Sequence, residues 1–413
     1  MSHKKRPLLV PQYMRSFSCI GSNCEDSCCR GWRVDIDHTT YKRYQRVRDA
    51  ELKPDLDQYI GRNRSQVTED NYAKVRLNPD ASCPFLNGER LCRIQLKMGE
   101  NYLSDTCTTY PRITNIVNDV VEKSATMSCP EAARLALLNA DRMEFDEIDE
   151  DVDTRNMIIK QLNTHKLAAT NRPEQYFEEL RTFTIQVLQY RSITLAERLT
   201  ILGLFFQKAE KIVEEANVDE IPSLIASYTN LIESGALHEE LAKIPVQVAI
   251  QMELLKELAD ERVVIGVNNQ RYLECFAHSL HGLQFTEEAT VEEIANRYQE
   301  AEKKYYRPFM EEREYIMENY LVNYVFKNLF PFSSEQNVFE NYVMLVIRYA
   351  LIKMHLIGMA AFHQGLTDDL AILLIQSFAK TVEHNKQYLQ KIFGLLKQNG
   401  YTTMAYMAIL IKN

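Results

Sequence analysis

The chain has 413 residues, of which 46% are hydrophobic and 25% are charged, and this composition excludes a disordered or collagen-like protein. Its formal net charge is −9, so the composition predicts no large basic surface for nucleic acid. Glycine and proline are scarce, at 13 and 12 residues. Because these residues form turns, their scarcity favours long helices and predicts a mainly α protein.

The N-terminal segment is basic, since residues 1–48 hold ten lysines and arginines against four acidic residues. We interpret it as a solvated arm. Its only apolar stretch, residues 8–10, is followed at once by Pro11 and Gln12, so the apolar core of a secretory signal is missing. We therefore expect a cytoplasmic protein, in which clustered cysteines are more often metal ligands or redox groups than disulfides.

Cysteines are concentrated near the N-terminus, because eight of the nine lie in the first 129 residues. These eight are Cys19, Cys24, Cys28, Cys29, Cys83, Cys92, Cys107 and Cys129. Thiolates are the soft ligands that zinc and iron–sulfur clusters use, four to each centre. A subset of the eight is therefore predicted to bind either zinc or an iron–sulfur cluster. The Cys-x2-Cys knuckle of zinc modules is absent, which favours a 4Fe-4S cluster but leaves zinc open.

The middle of the chain contains an acidic stretch. A short helix is predicted to start near Pro130, and eight of the thirteen residues in 141–153 are then acidic, which we interpret as a solvated linker. This division predicts a small cysteine-rich α+β domain with a bound metal or cluster at residues 1–140. An irregular all-helical domain, possibly subdivided, is predicted at residues 154–413.

Helical periodicity dominates the remainder of the chain. Thr194 with Glu197, and Thr290 with Glu293, have the spacing of capping boxes and mark two helix starts. Helices are predicted over residues 154–169, 173–191, 195–213, 221–233, 237–260, 271–282, 313–329, 337–364, 368–381 and 384–398.

The most apolar long stretch is 343–362. Arg348, Lys353 and His355 interrupt it, which argues against a membrane span and predicts a buried helix with a few polar edges. The aromatic-rich residues 305–326 are interpreted as helix packing in preference to a cofactor site.

Several short motifs around the cysteines resemble one known family. They are the Cys28-Cys29 pair, Cys83-Pro84-Phe85-Leu86, Cys92-Arg93-Ile94, Cys107-Thr108-Thr109-Tyr110-Pro111 and Ser128-Cys129-Pro130-Glu131. Together they resemble the CxxCxxCC family of zinc- or iron-chelating domains and, within it, the flagellin lysine-N-methylases. The resemblance implies methyl transfer to the ε-amino groups of flagellin lysines in the cytoplasm. It also implies S-adenosylmethionine as the donor and an iron–sulfur cluster or zinc in the cysteine domain.

The chemistry that this resemblance implies suggests site residues. Methyl transfer to an amine requires a neutral lysine, a group that takes or shares its proton, and aromatic faces for the positive sulfur. Tyr110 and Arg112, beside Cys107, are therefore candidate catalytic residues. Trp32, the only tryptophan, is a candidate cofactor-binding residue. For Tyr110 and Trp32 the alternative is core packing, and for Arg112 it is a bond to backbone or to an acid.

A donor site of the Rossmann type is not supported, because the sequence contains neither GxGxxG nor a phosphate loop. A second function class therefore stays open. The chain is alternatively a non-enzymatic metal- or iron–sulfur-binding interaction protein, in which the cysteine domain braces a helical partner-binding domain.

Overall fold

The computed structural model describes residues 4–65, 67–152, 154–167, 170–238, 241, 243–286, 288–334 and 336–412. The chain forms two units. The first comprises Met1–Ile116, Val120–Ala132 and Phe145–Gln161, and the second comprises Val117–Asp119, Ala133–Glu144 and Leu162–Asn413.

The first unit mixes strands with short helices, as the predicted α+β class requires. Its strands are β1 (Lys5–Pro11), β2 (Asp35–Ile36), β3 (Ile60–Arg62), β4 (Ala73–Val75), β5 (Arg112–Val117), β6 (Val120–Ala125), β7 (Phe145–Asp151) and β8 (Ile158–Leu162). Its helices are α1 (Tyr13–Ser16), α2 (His38–Gln45), α3 (Leu52–Tyr59), α4 (Arg93–Met98) and α5 (Asp105–Thr109), followed in the chain by α6 (Pro130–Leu137).

Two sheets organise this unit. One has the strand order β7-β1-β6-β5-β8, with β1 parallel to β6 and antiparallel to β7. The other is antiparallel, with the order β2-β4-β3. Cys83 and Cys92 lie between the second sheet and α5, whereas Cys19, Cys24, Cys28 and Cys29 precede β2.

The basic N-terminal segment and the acidic stretch pair with each other, which corrects both interpretations. The supposed solvated arm contains β1, and the supposed linker contains β7, although its last residue, 153, lies outside the described residues. Lys5 is registered with Asp151, and Arg6 bonds Glu150 at 2.8 Å. Opposite charges on adjacent strands stabilise such pairing. Arg6 and Arg15 of the basic segment thus pair with Glu150 and Asp146 of the acidic stretch.

A third correction concerns residues 154–169, predicted as a helix. Residues 158–162 form β8, and His165–Leu167 form a single 3-10 turn, while residues 168 and 169 lie outside the described residues. The adjacent β-branched Ile158 and Ile159 suit a strand at the edge of the sheet, and sheet pairing overrides a weak local helical period.

The second unit is helical, as predicted. Its helices are α7 (Phe177–Leu188), α8 (Leu195–Glu214), α9 (Ile221–Glu233), α10 (Val248–Val264), α11 (Gln270–Gly282), α12 (Val291–Ala301), α13 (Arg307–Met310), α14 (Tyr315–Asn328), α15 (Val338–His363), α16 (Asp368–Phe378), α17 (Lys386–Gln398) and α18 (Met404–Ile411). Two π-helical turns, Glu302–Tyr306 and Ala379–Glu383, adjoin α13 and α16.

Both predicted capping boxes are confirmed. The Thr194 and Thr290 hydroxyls accept the backbone N–H of the glutamate three residues later, and each glutamate returns a bond to the threonine N–H. The segment predicted as one helix over 237–260 instead contains a break before α10, with residues 239, 240 and 242 outside the described residues.

Helix α15 lies at the centre of the second unit and packs against α8, α11, α18 and α12. Among the described helices it has the length and apolar composition of a membrane span, but that apolar window is wholly buried within the protein. Such burial is typical of a core helix. Arg348, Lys353 and His355, predicted as polar edges, are themselves at most 7% exposed.

A close helix crossing uses two of the scarce glycines. A methyl group at Gly282 of α11 would lie 2.0 Å from the carbonyl oxygen of Gly358 in α15. A methyl group at Gly358 would lie 2.3 Å from Ser279 Oγ. The two helices approach this closely only because neither position carries a side chain.

We predict that Gly358→Ala destabilises the protein by about 1–3 kcal/mol, because the methyl group forces the two backbones apart. The matched control is Gly394→Ala in α17, where a methyl group meets nothing within 4 Å. This control gains about 0.5–1 kcal/mol from helix propensity. Urea denaturation measures both, and equal stability of the two variants would contradict the close crossing.

A buried ion pair joins α14 to the second π-helical turn. Lys327 Nζ lies 2.8 Å from Glu383 Oε2, and the Tyr320 hydroxyl donates to Glu383 Oε1 at 2.6 Å. Burial alone would raise the pKa of Glu383, but the charge and hydrogen bond of Lys327 and the Tyr320 hydroxyl outweigh it. They lower that pKa to about 2.

Because the folded-state pKa of Glu383 lies below its usual value near 4.5, the stabilisation from its ionised form is present above pH ~4.5. That stabilisation is lost as the pH falls toward 2. We predict that Glu383→Gln flattens the dependence of unfolding free energy on pH across this window. Lys327→Met should cost about 3–5 kcal/mol at neutral pH, since it removes the cation that pairs with a buried carboxylate. Adding Glu383→Gln to Lys327→Met should recover most of the lost stability. A double variant that is as unstable as Lys327→Met alone would contradict the ion pair.

Candidate functional site

One cavity of the first unit brings together all eight clustered cysteines. Its volume is about 320 Å³, and Cys19, Cys24, Cys28, Cys29, Cys83, Cys92, Cys107 and Cys129 all line it. The sequence segments that contain these cysteines are separated by up to 53 residues, between Cys29 and Cys83. The fold therefore gathers distant thiols around one volume. Cys275, in the second unit, is buried elsewhere.

Short local elements hold the cysteines in place. The Cys83 N–H donates to the Cys29 carbonyl at 2.8 Å, which ties the double-cysteine loop to the next segment. Cys92 is the N-cap residue of α4. Cys107 lies in α5, whose N-cap residue, Ser104, accepts the Cys107 N–H at 3.3 Å. Cys129 directly precedes α6.

The thiols fall into two sets according to which of them interact. Burial, together with smaller contributions from the charges of Cys92 and Cys28, raises the pKa of Cys83 to about 11. Burial likewise raises the pKa of Cys107, with additional contributions from Cys92, Cys83 and Cys28. The Cys28 and Cys29 sulfurs are 3.9 Å apart. Cys28, Cys29, Cys83, Cys92 and Cys107 thus form one set of mutually interacting thiols, called the inner set below.

The remaining thiols surround Cys129. Burial, together with smaller contributions from the charges of Cys24 and Cys19, raises the pKa of Cys129 to about 11. We call Cys19, Cys24 and Cys129 the outer set. Burial raises the pKa of Cys24, and Cys28 raises it to a smaller extent, so Cys24 also interacts with the inner set.

Apolar side chains form the wall behind the inner set. Val34, Ile36 and Phe85 are at most 3% exposed, and Cys29 and Cys92 pack against their cluster. None of the nine cysteines, all of which the structure describes, forms a disulfide. Across the described residues, no three His, Cys, Asp or Glu side chains converge closely enough to ligate one metal ion. The thiols surround the cavity and do not meet at a point.

All three predicted site residues line the same cavity. The Trp32 indole N–H donates to the Cys28 carbonyl at 2.5 Å, and the Trp32 ring lies 5.4 Å from that of Tyr110. The Arg112 guanidinium lies over the Phe17 ring at 5.1 Å. The structure thus brings Trp32, Tyr110 and Arg112 together, while their chemical roles stay predictions.

The environment of Tyr110 limits what its phenol can do. The hydroxyl lies 3.1 Å from Ser128 Oγ. Burial and the neighbouring Cys129 raise the pKa of Tyr110 well above its usual value. A phenol with so high a pKa stays protonated at neutral pH, so it can share a proton through a hydrogen bond but is a poor proton acceptor.

The second unit contains a cavity that sequence reasoning missed. Its volume is about 770 Å³, and its lining includes Glu302, Tyr306, Glu314, Tyr349 and Lys353. Lys353 interrupts an apolar helix, and that interruption was the available signal. That interruption had served only as an argument against a membrane span and for a buried helix with polar edges. Aromatic residues of 305–326 likewise contribute to this cavity through Tyr306, in addition to packing.

The fold and the thiol-lined cavity define a two-unit protein with a cysteine-rich α+β part and a helical part. A family model described as the FliB lysine N-methylase C-terminal domain matches residues 181–410, more than half of the chain. The chain belongs to the FliB lysine N-methylase family. It is accordingly a lysine N-methyltransferase, which favours the enzyme over the non-enzymatic interaction protein.

Curated relatives agree with this assignment. Lysine-N-methylases of Salmonella choleraesuis (strain SC-B67) and Salmonella typhimurium (strain LT2) are each 24% identical over 398 residues, covering 93% of this chain and 94% of theirs. The flagellar biosynthetic protein FliU of Salmonella muenchen is 34% identical over 149 residues, covering 35% of this chain and 85% of FliU. No solved structure matches the chain significantly.

Proposed function

We propose that the protein transfers methyl groups from S-adenosylmethionine to the ε-amino groups of flagellin lysines in the cytoplasm. We further propose that the thiol-lined cavity holds an iron–sulfur cluster, with zinc as the alternative. The observation that carries the second proposal is the convergence of eight distant cysteines on one cavity in a chain of the lysine N-methylase family. The flagellar name of the FliU relative supports flagellin as the substrate.

The transfer itself requires only a displacement. The lone pair of the neutral lysine nitrogen attacks the methyl carbon, and a nitrogen–carbon bond forms as the sulfur–carbon bond breaks. The electron pair of the broken bond returns to sulfur, which leaves as a neutral thioether. The methylated ammonium then releases a proton to water or to a nearby base. The protein accelerates such a step mainly by aligning the two reactants and excluding water.

The residues of the cavity suit a soft cationic centre of more than one atom. Zinc held by four thiolates lies about 2.3 Å from each sulfur, so its four ligands must converge on one point. The inner set lines a cavity of about 320 Å³, and Cys28 and Cys29, being adjacent, would contribute one ligand to a four-ligand centre. Cys83, Cys92 and Cys107 would supply the others. A bound iron–sulfur cluster would supply one-electron chemistry and cross-link these segments.

The methyl transfer is tested with protein purified anaerobically, purified flagellin and methyl-labelled S-adenosylmethionine. We expect label on flagellin lysine side chains, located by mass spectrometry of peptides. A flagellin sample without the enzyme is the control. Absence of lysine label, with the metal content of the enzyme intact, would refute the proposed activity.

The metal centre is tested by elemental analysis and visible absorbance of anaerobic protein. We expect iron and sulfide, and we expect Cys83→Ser and Cys107→Ser each to lower the iron content strongly. Cys275→Ser is the matched control, since Cys275 is a buried thiol outside the cavity. A colourless protein that contains only zinc would overturn the iron–sulfur assignment. Unchanged metal content in both serine variants would overturn the inner set as ligands.

A further inference from the structure

The cavity of the helical unit has the dimensions of a small-molecule site. Its volume of about 770 Å³ lies within the usual range of roughly 300–1,000 Å³ for ligand pockets. The π-helical turn Glu302–Tyr306 contributes two of its lining side chains, Glu302 and Tyr306. Such turns are rare and occur frequently at functional sites.

A fixed carboxylate faces this cavity. Glu314 Oε1 accepts the Leu195 N–H at 2.8 Å, and its other oxygen accepts a bond from the Arg198 guanidinium. Arg198 is completely buried and also bonds Glu318 at 2.7 Å, so it is itself immobilised. The Glu314 side chain nevertheless remains 39% exposed. It is therefore held in one position while it stays accessible to a cation.

Positive groups lie in the same wall. Arg307 bonds both oxygens of Glu302, at 3.1 and 2.7 Å, and keeps 49% of its side chain exposed. Lys353 is buried in α15, and its burial lowers its pKa to about 8 although Glu302 and Glu314 oppose the shift. A ligand in the cavity thus meets both signs of charge, supplied by groups close enough to influence one another.

Aromatic and sulfur-containing side chains complete the lining. Tyr306 and Tyr349 are 6% and 4% exposed, and Met310 and Met317 lie beside them in the cavity wall. Burial raises the pKa of Tyr306, and Tyr349 and Glu314 are close enough to add to this effect. Neutral phenol rings beside carboxylates attract a cation such as a sulfonium through the ring face.

The mixed charges discriminate between possible ligands. A lysine side chain carries only a positive charge and would approach the ammonium of Lys353. A simple anion would face the carboxylates of Glu302 and Glu314. A zwitterionic amino acid with a sulfonium centre places its carboxylate near Arg307 or Lys353 and its two cationic groups near the glutamates and tyrosines.

We propose that this cavity binds the sulfonium methyl donor, a nucleoside that carries a zwitterionic amino-acid tail, with Glu314, Lys353, Tyr306 and Tyr349 as donor-binding residues. This inference rests on the proposed function for the identity of the donor. It places the donor site in the helical unit, in side chains of α15, of the π-helical turn and of Glu314, the N-cap residue of α14.

Equilibrium dialysis with radiolabelled S-adenosylmethionine tests the donor site without turnover. We expect Glu314→Gln and Lys353→Met each to raise the dissociation constant about tenfold or more, as loss of a charged hydrogen bond does. The KM for flagellin and the iron content should not change. Glu312→Gln is the matched control, because Glu312 is two residues from Glu314, is exposed, and pairs only with Arg313 among the contacts described. Circular dichroism verifies that each variant is folded, and Tyr349→Leu provides an independent third probe.

The outcomes separate this inference from the proposed function. Normal donor binding in folded Glu314→Gln, Lys353→Met and Tyr349→Leu overturns the donor site, even where label still reaches flagellin. A rise in the KM for flagellin with unchanged donor binding assigns the cavity to the lysine acceptor. That result also overturns the donor site. Impaired donor binding in the variants, with no label transfer by the unmodified protein, supports the donor site and refutes flagellin methylation.

Discussion

Burial of the clustered thiols around one small cavity is the constraint on which the cysteine-rich part of the first unit depends. Burial raises the pKa of these thiols, and each thiolate that forms in the cavity raises the pKa of its neighbours further, as Cys83 and Cys107 illustrate. Several negative sulfurs cannot coexist in so small a volume without a compensating positive charge. Two helix N-termini, at Cys92 and Cys129, offer only partial compensation through backbone N–H groups. Burial therefore keeps these thiols protonated unless a positive charge enters the cavity.

Ion pairs between distant segments also hold together the five-stranded sheet of the first unit. Glu150 of β7 bonds Arg6 of β1, Lys123 of β6 and Asn156, so one acidic residue connects three separate parts of the chain. Part of the basic N-terminal segment, β1, and part of the acidic stretch, β7, are thereby adjacent strands. The sheet sets the frame for Arg112 in β5 and for Tyr110 just before it. Local charge alone could not reveal this, since pairing joins residues about 145 positions apart.

Sequence reasoning succeeded where local signals decide the structure. The capping boxes at Thr194 and Thr290 and the apolar period of α8 are local, and the structure contains them as expected. The strands β1, β7 and β8 were missed because their partners are distant in sequence. The cysteine cluster could be predicted because eight cysteines lie in the first 129 residues. Trp32, Tyr110 and Arg112 could be predicted as site residues because they lie near cysteines in the sequence. The division of the thiols into an inner and an outer set required the fold, because spacing does not report which sulfurs face one another.

The scarcity of glycine limits how the cavity of the helical unit can bind a ligand. A dinucleotide-type donor site uses glycines to bring backbone N–H groups against the ligand. In this chain the described glycines of the helical core serve helix contact instead, as Gly282 and Gly358 do. Recognition of a charged small molecule must then come from side chains, and those side chains must be fixed in advance to limit the entropic cost of binding. The buried Arg198, with Glu318 on one side and Glu314 on the other, provides such fixation. A helical unit without a glycine loop can therefore still present a preorganised, charged cavity.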